Sequence, residues 1–207
     1  MTKLSASQFK LLEKSTKQYQ ESLSEAWYYL ESRGITEETA ERFRLGYVKE
    51  PAKGDEEFRS RICIPYIRQA GIVAQRFRTL GASELKYHSR LGIESGLFHV
   101  EALFSASDTC VITEGEFDTI ILSQIGIPSV GISGTTGWKP HYRRIFEDFD
   151  RLIVFRDNDD AGKVLARNIK KDFPYTVVVP MPVDDVNSTY LSPEYGEDYL
   201  REAANLP

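Results

Sequence analysis

Cysteine is scarce in this chain: 207 residues contain two, Cys63 and Cys110, 47 positions apart. There is no Cys-x-x-Cys pair, so a zinc ribbon or finger within the chain is excluded. Each cysteine lies in an apolar run and reads as a buried thiol in a strand. Long hydrophobic runs are missing too. Stretches such as Val177-Val178-Val179 are a few residues long, whereas a bilayer-spanning helix needs about 20. The uncharged stretch 119–138 is broken by Gly126, Pro128, Gly131, Gly134 and Gly137. Met1-Thr2-Lys3-Leu4 does not begin the apolar segment of about 7–15 residues that marks a signal peptide. With 14 Gly and 9 Pro, the chain is neither collagen-like nor of low complexity. These absences predict a cytoplasmic protein with no membrane partner.

What remains is the balance of a soluble globular protein, 41% hydrophobic and 28% charged, with length for one large domain or two small ones. The net charge of −5, from 26 basic and 31 acidic residues, argues against nucleic acid as a partner. The distribution of charge argues the other way.

Residues 1–30 carry Leu4, Phe9, Leu12, Tyr19, Leu23, Trp27 and Leu30 mostly at three- to four-residue spacing and contain neither Gly nor Pro. One or two amphipathic helices are expected there. A short helix follows over 36–44, with Thr36 as its cap, then a charged loop over 49–60. Strands at 61–67 and 72–80 around Gly71 read as a hairpin, and a short strand covers 85–88. From residue 109 strands and helices alternate: strands at 110–113, 128–132, 152–155 and 176–179, and helices at 118–125, 140–149, 161–173 and 193–204. That alternation predicts a mainly parallel sheet. The expected organisation is an α+β protein with a helical segment at 1–30, a basic mixed subdomain at 31–105 and an α/β domain at 106–207.

Two acidic clusters occupy equivalent places. Glu114, Glu116 and Asp118 follow the strand at 110–113, and Asp157, Asp159 and Asp160 follow the strand at 152–155. Ligands of open parallel sheets sit beyond the carboxyl ends of the strands. If these two strands are neighbours, Glu114 and Asp157 converge. Carboxylates crowded in this way repel, and a divalent cation relieves the repulsion. Mg²⁺ takes a few carboxylates together with water and phosphate oxygens. The same acids also suit helix N-caps and first turns. A third group, Asp184-Asp185-Val186-Asn187, follows the strand at 176–179 and reads as a turn. The glycine-rich stretch 131–137 lacks the Gly-Lys-Ser/Thr ending of a Walker loop and reads equally as a phosphate cradle or a flexible loop.

From Arg59 to Arg90 there are seven basic residues (Arg59, Arg61, Arg68, Arg76, Arg78, Lys86, Arg90) against the single acid Glu84. Arg76 and Arg78 share a strand face, and Tyr66, Phe77, Tyr87 and His88 interleave with the cations. The segment reads as a polyanion site, or as a solvated face on which arginine stems cover apolar surface. A basic surface together with a divalent-metal site fits phosphoryl or nucleotidyl transfer on a nucleic acid.

Glu114-Gly115 with Asp118, and the later Asp157-Asn158-Asp159-Asp160-Ala161-Gly162 turn, resemble a Toprim domain in order, strand context and spacing. Tyr29–Ile35, Phe43–Tyr47, Arg61–Tyr66 with Gly71, Arg76-Phe77-Arg78, Lys86-Tyr87 and Glu94–Phe98 resemble the catalytic core of DnaG-type primases of bacteria and bacteriophages. The likeness runs over residues 27–200. It implies a nucleotidyltransferase, a DNA-directed RNA polymerase that makes short primers from ribonucleoside triphosphates on single-stranded DNA. It implies Glu114 as the catalytic carboxylate and Asp157 and Asp159 as ligands of Mg²⁺ or Mn²⁺. It also implies Asp118 and Asp185 near a second ion, and nucleotide or template contacts at Arg61, Arg76, Arg78, Lys86 and Tyr87. The family's zinc ribbon and C-terminal helicase-linked domain have no counterpart here, so a separate zinc-ribbon chain and a replicative helicase are expected partners. A phage-encoded protein would work in the bacterial host cytoplasm. Asn187 stands where the family often has Asp, and a basic residue is missing near His99-Val100. The rival readings are a Toprim nuclease, in which water replaces the 3′-hydroxyl, and a non-catalytic module that binds single-stranded DNA or the replisome.

Overall fold

A computed structural model describes residues 4–81, 87–90, 96–106, 108–132 and 137–205. The chain divides into two compact units, Met1–Ser95 and Gly96–Pro207.

The first unit is an antiparallel sheet backed by helix. Strands β1 (Gly46–Tyr47), β2 (Arg61–Arg68), β3 (Gly71–Thr79) and β4 (Tyr87–Ser89) lie in the order β1-β2-β3-β4. The expected hairpin is β2–β3, with Ile62 opposite Arg78 and Ile64 opposite Arg76. Helix α1 (Ala6–Gln20) starts at a capping box: the Ser5 hydroxyl accepts from the Gln8 N–H, and the Gln8 side chain accepts from the Ser5 N–H. The helical stretch then breaks into a 3₁₀ turn (Leu23–Ala26) and α2 (Trp27–Ser32), so 1–30 is not one uninterrupted helix. Thr36 caps α3 (Glu37–Arg42) as expected, accepting from the Thr39 N–H at 3.2 Å. The register of α1 on the sheet is pinned by a buried amide: Gln75 of β3 donates to Thr16 Oγ1 at 2.6 Å and to Ser15 Oγ at 3.1 Å. Gly46 lets α1 lie this close, because a Cβ there would stand 2.6 Å from the Tyr19 carbonyl carbon.

Tyr19, Val48, Phe58, Cys63 and Phe77 form a buried cluster, with the Phe58 and Phe77 rings stacked at 3.9 Å. An ion pair is sunk beside it. Asp55, 2% exposed, accepts from the Tyr19 hydroxyl and pairs with Arg90. Arg90 therefore serves this unit's interior, and it is a correction to the count of cations available to a polyanion. Sequence spacing could not show this, because Tyr19, Asp55 and Arg90 are 36 and 35 positions apart.

The second unit carries β5 (Leu97–Phe98), β6 (Thr109–Thr113), β7 (Ser129–Ile132), β8 (Arg151–Arg156) and β9 (Val177–Pro180), ordered β5-β7-β6-β8-β9. All pairings are parallel except β5–β7. β5 lies before residue 105 yet pairs with β7, which no periodicity over two residues could announce. Cys110, Ile112, Leu152 and Val154 share a core with Phe146, Leu165, Ala166 and Ile169. Those last four come from helices α6 (Arg143–Phe146) and α7 (Asp160–Asp172). Helix α4 (Ala102–Ser105) precedes β6; helix α5 (Glu116–Gln124), nearly all buried, contacts β7 and α8 (Val186–Tyr190), and α9 (Gly196–Ala204) closes the unit. Two-sided covering explains why β6 and β8 read as continuous apolar runs. The turn expected at 184–187 leads into α8, with Asp185 as its N-cap and Val186-Asn187 as its first residues. The helix expected over 140–149 is a 3₁₀ turn (Pro140–Tyr142) followed by α6. Both cysteines are free and buried, and burial pushes the Cys110 thiol up to about 12. Among the described residues, no helix is long and apolar enough to cross a membrane.

Candidate active site

The chain passes from β6 through α5 to β7 on one side, then returns to β8 on the other side of β6. The topological switch point of the parallel sheet therefore lies between β6 and β8, where ligands of open α/β sheets bind. Parallel pairing runs from Thr109 opposite Arg151 to Ile112 opposite Val154. Glu114 and Asp157 follow directly at the carboxyl ends of these two strands and meet there, as the spacing requires. Glu114 accepts a hydrogen bond from the Asp157 backbone.

Three other acids join them. Asp118 lies in the first turn of α5, 6% exposed, and accepts from the Asn187 N–H at 3.0 Å. Asp159 is the N-cap of α7 and accepts from the Gly162 N–H at 2.8 Å. Asp185 is the N-cap of α8 and accepts from the Ser188 N–H at 2.6 Å. Asn158 ties these turns together by donating to the carbonyls of Met181 at 2.7 Å and Val183 at 2.9 Å. The Thr113 and Thr119 hydroxyls, 2.8 Å apart, brace the Glu114-Gly115 turn, with Thr119 donating to the Gly115 carbonyl at 2.9 Å.

Burial pushes the Glu114 carboxyl up to about 7, with the Asp159 charge adding to it. Burial also raises Asp157 well above the carboxylate range, reinforced by Asp118, Glu114, Asp185 and Asp159. Both acids have a buried oxygen, Glu114 Oε1 and Asp157 Oδ1, with no hydrogen-bond partner. Unsatisfied buried oxygens on crowded carboxylates are the donor set of a hard divalent cation. Among the described residues, no three His, Cys, Asp or Glu side chains already stand as a group that could hold an ion, so ligation by three of them requires side chains to rotate. Gly162 belongs to the site as well. A Cβ there would run into Glu114 Oε1 and stand 2.6 Å from the Asp157 carbonyl oxygen. The visible signal for it was the Ala161-Gly162 ending of the acidic turn.

The basic residues lie in the first unit. Arg76 and Arg78 share a face of β3, and β4 sets Tyr87 opposite Arg78. The Arg76 and Arg78 guanidinium carbons stand 4.5 and 4.9 Å from the centre of the Tyr87 ring. Arg78 also donates to the Tyr87 hydroxyl, and to the Tyr29 hydroxyl at 2.7 Å. Tyr29 carries no such role in the sequence reading, where it stands only as the first residue of the Tyr29–Ile35 motif. Arg61 reaches Thr79 Oγ1 across the hairpin. Arg59 pairs with Glu50 at 3.2 Å. Lys86, and most of the glycine-rich loop at 133–136, lie outside the described residues.

An open α/β sheet with paired acids at its switch point, the second carried on an Asp-x-Asp-x-Ala-Gly turn, defines a Toprim-bearing protein. The Toprim-like family matches residues 111–189. The chain is 35% identical over 151 residues to the Gene 57 protein of Mycobacterium phage D29, covering 70% of this chain and 98% of that one. It is 28% identical over 229 residues to the DNA primase of Thermotoga maritima, covering 87% of this chain and 40% of the primase. The solved Escherichia coli primase catalytic core superposes with a TM-score of 0.74 at 22% identity, covering 95% of this chain and 79% of that one. The chain belongs to the family of DnaG-type primase cores with a Toprim domain. It spans less than half the length of the bacterial primase it matches. The family is generally metal-dependent.

Proposed function

We propose that this chain is a primase core, which joins ribonucleotides into short primers on single-stranded DNA. The observation that carries the reading is the meeting of Glu114 and Asp157 at the β6–β8 switch point, each with a buried oxygen left unsatisfied. Asp157 and Asp159 would hold Mg²⁺ or Mn²⁺, and Asp118 and Asp185 would lie near a second ion. A divalent cation held there would supply neutralisation of phosphate charge during nucleotidyl transfer.

The chain's own groups do the rest. Burial pushes the Glu114 carboxyl up to about 7, so it exchanges a proton near neutral pH, and relief of the repulsion around it favours the carboxylate, the form that can act as a base. Asp118 accepts from the Asn187 N–H and Asp159 from the Gly162 N–H, so one oxygen of each is held by the backbone before any ligand arrives. Arg61, Arg76, Arg78, Lys86 and Tyr87 would bind nucleotide or template. The paired guanidiniums on Tyr87 supply charge for phosphates, and the ring locks their spacing. A zinc-ribbon module on another chain and a replicative helicase would supply site choice and recruitment.

The test is incubation with single-stranded DNA, labelled ribonucleotides and Mg²⁺ or Mn²⁺. Short RNA that disappears on substitution of Asp157 supports the reading. Nicking of supercoiled DNA without nucleotides would replace it with a nuclease. DNA binding with neither activity would leave a binding module.

A further inference from the structure

The parallel sheet of the second unit has an opposite end, where β6 and β8 begin, one strand length of about 15 Å from the acids. A hollow of about 350 Å³ lies there, lined by Arg151, Arg201, Ser105, Thr109 and Asn205, with Ile127 among its apolar members. That volume is at the lower end for small-molecule sites. Arg151 is the first residue of β8, opposite Thr109, and its own N–H is fixed to the Asp108 carbonyl at 2.9 Å.

The Arg151 side chain is the anomaly. Its Nε and Nη2 are buried and have no hydrogen-bond partner. These two nitrogens form the side-on edge of the guanidinium, whose parallel N–H bonds match two oxygens of one carboxylate or phosphate. Burying such donors unpaired is costly, and more so on a charged group. Arg201 differs, because Glu197 on its own helix already answers it at 2.6 Å. The Thr109 hydroxyl adds a donor without adding negative charge, whereas the Ser105 hydroxyl and the Asn205 amide already donate to the Ala102 and Arg201 carbonyls at 3.1 and 2.8 Å.

We propose that this hollow binds a small oxyanion, a phosphate or carboxylate on a short organic stem, gripped side-on by Arg151. The stem lies toward Ile127, and the hollow is too small for a polymer backbone with its bases. The site stands apart from the switch-point acids, so its test needs no enzymatic activity.

The experiment is a titration of the ¹⁵N-labelled chain with inorganic phosphate, phenyl phosphate and benzoate, following the Arg151 Nε–H resonance and the thermal midpoint. The expected result is a saturable shift of that resonance with at least one probe. Phosphate probes acting alone would assign phosphate, and benzoate acting alone would assign carboxylate. Arg151→Lys keeps the charge and loses the fork, so affinity falls at least tenfold. Should that variant fail to fold, Thr109→Val carries the test, with an expected loss of threefold or more. No saturable shift with any of the three probes overturns the proposal, as does unchanged affinity in the variant that folds.

Discussion

Replacing Glu114 with Gln removes a charge while keeping the shape and an oxygen that can accept the Asp157 backbone N–H. Burial and the neighbouring Asp159 move the Glu114 carboxyl from its ordinary 4.5 to about 7. The folded chain therefore holds this proton to higher pH than the unfolded chain does. Under linkage, the ion-free protein is most stable below the unfolded value and loses stability as pH rises through about 7. Each pH unit between the two values is worth 1.36 kcal/mol, so the full effect at neutral pH is about 3 kcal/mol. Solvent reaches the half-buried carboxyl, and discounting by about half leaves roughly 1.5 kcal/mol.

Glu114→Gln should consequently match the parent protein near pH 4.5 and exceed it at pH 8 by about 1–2 kcal/mol, or roughly 3–6 °C. Loss of the Glu114 charge also eases ionisation of Asp157, which acts in the same direction. The assay is denaturation of both proteins in chelator across that pH range. A second arm adds Mg²⁺ or Mn²⁺, which should stabilise the parent by about 2.7 kcal/mol at a hundred times its dissociation constant and the variant by less. A stability difference that is flat with pH, or that favours the parent at pH 8, would refute the electrostatic account of this cluster.

Asp157→Ala should abolish primer synthesis without lowering the stability of the ion-free protein, as a thermal melt beside the primer assay would show. Asp159→Ala should also abolish synthesis, but at a cost of about 1 kcal/mol, because it removes the cap of α7; Asp159→Asn should recover that stability and not the activity. Arg90→Met leaves Asp55 buried and unpaired and should cost about 3–5 kcal/mol by urea denaturation, whereas a loss under 1 kcal/mol would show that water replaces the pair. Arg76→Ala should lower the slope of log affinity for single-stranded DNA against log salt by about 0.7, and an unchanged slope would make that face a solvated one.

Periodicity and strand-end logic made the second unit legible before any coordinates. Short apolar runs alternating with helical stretches located its four parallel strands, and the doubled acidic turns located their ligand-bearing ends. The first unit was legible as a hairpin, but its interior was not. The Tyr19–Asp55–Arg90 assembly joins three distant segments, and a lone Asp in a charged loop gives no sign that it is 2% exposed. The Ser5–Gln8 box was readable in principle as a Ser-x-x-Gln pattern ahead of an apolar period. Helix α8 escaped because five residues carry too little periodicity, and an Asp-Asp-Val-Asn run serves a turn as well as an N-cap.

The strand-end acids differ in how much of their charge the fold itself answers. Asp159 and Asp185 are N-caps, each with an oxygen committed to a backbone N–H, and Asp118 is committed to the Asn187 N–H. Those bonds contribute to folding whether or not an ion is present. Glu114 Oε1 and Asp157 Oδ1 have no such partner, and burial raises both groups. A fold gains nothing from leaving these oxygens unsatisfied, since isosteric amides would spare the repulsion. What separates these acids in the ion-free protein is therefore whether the fold has already answered their charge, and that decides what their loss does to stability. By that criterion, neutral replacements at Glu114 and Asp157 should trade activity for stability, and removal of the caps at Asp159 and Asp185 should cost both.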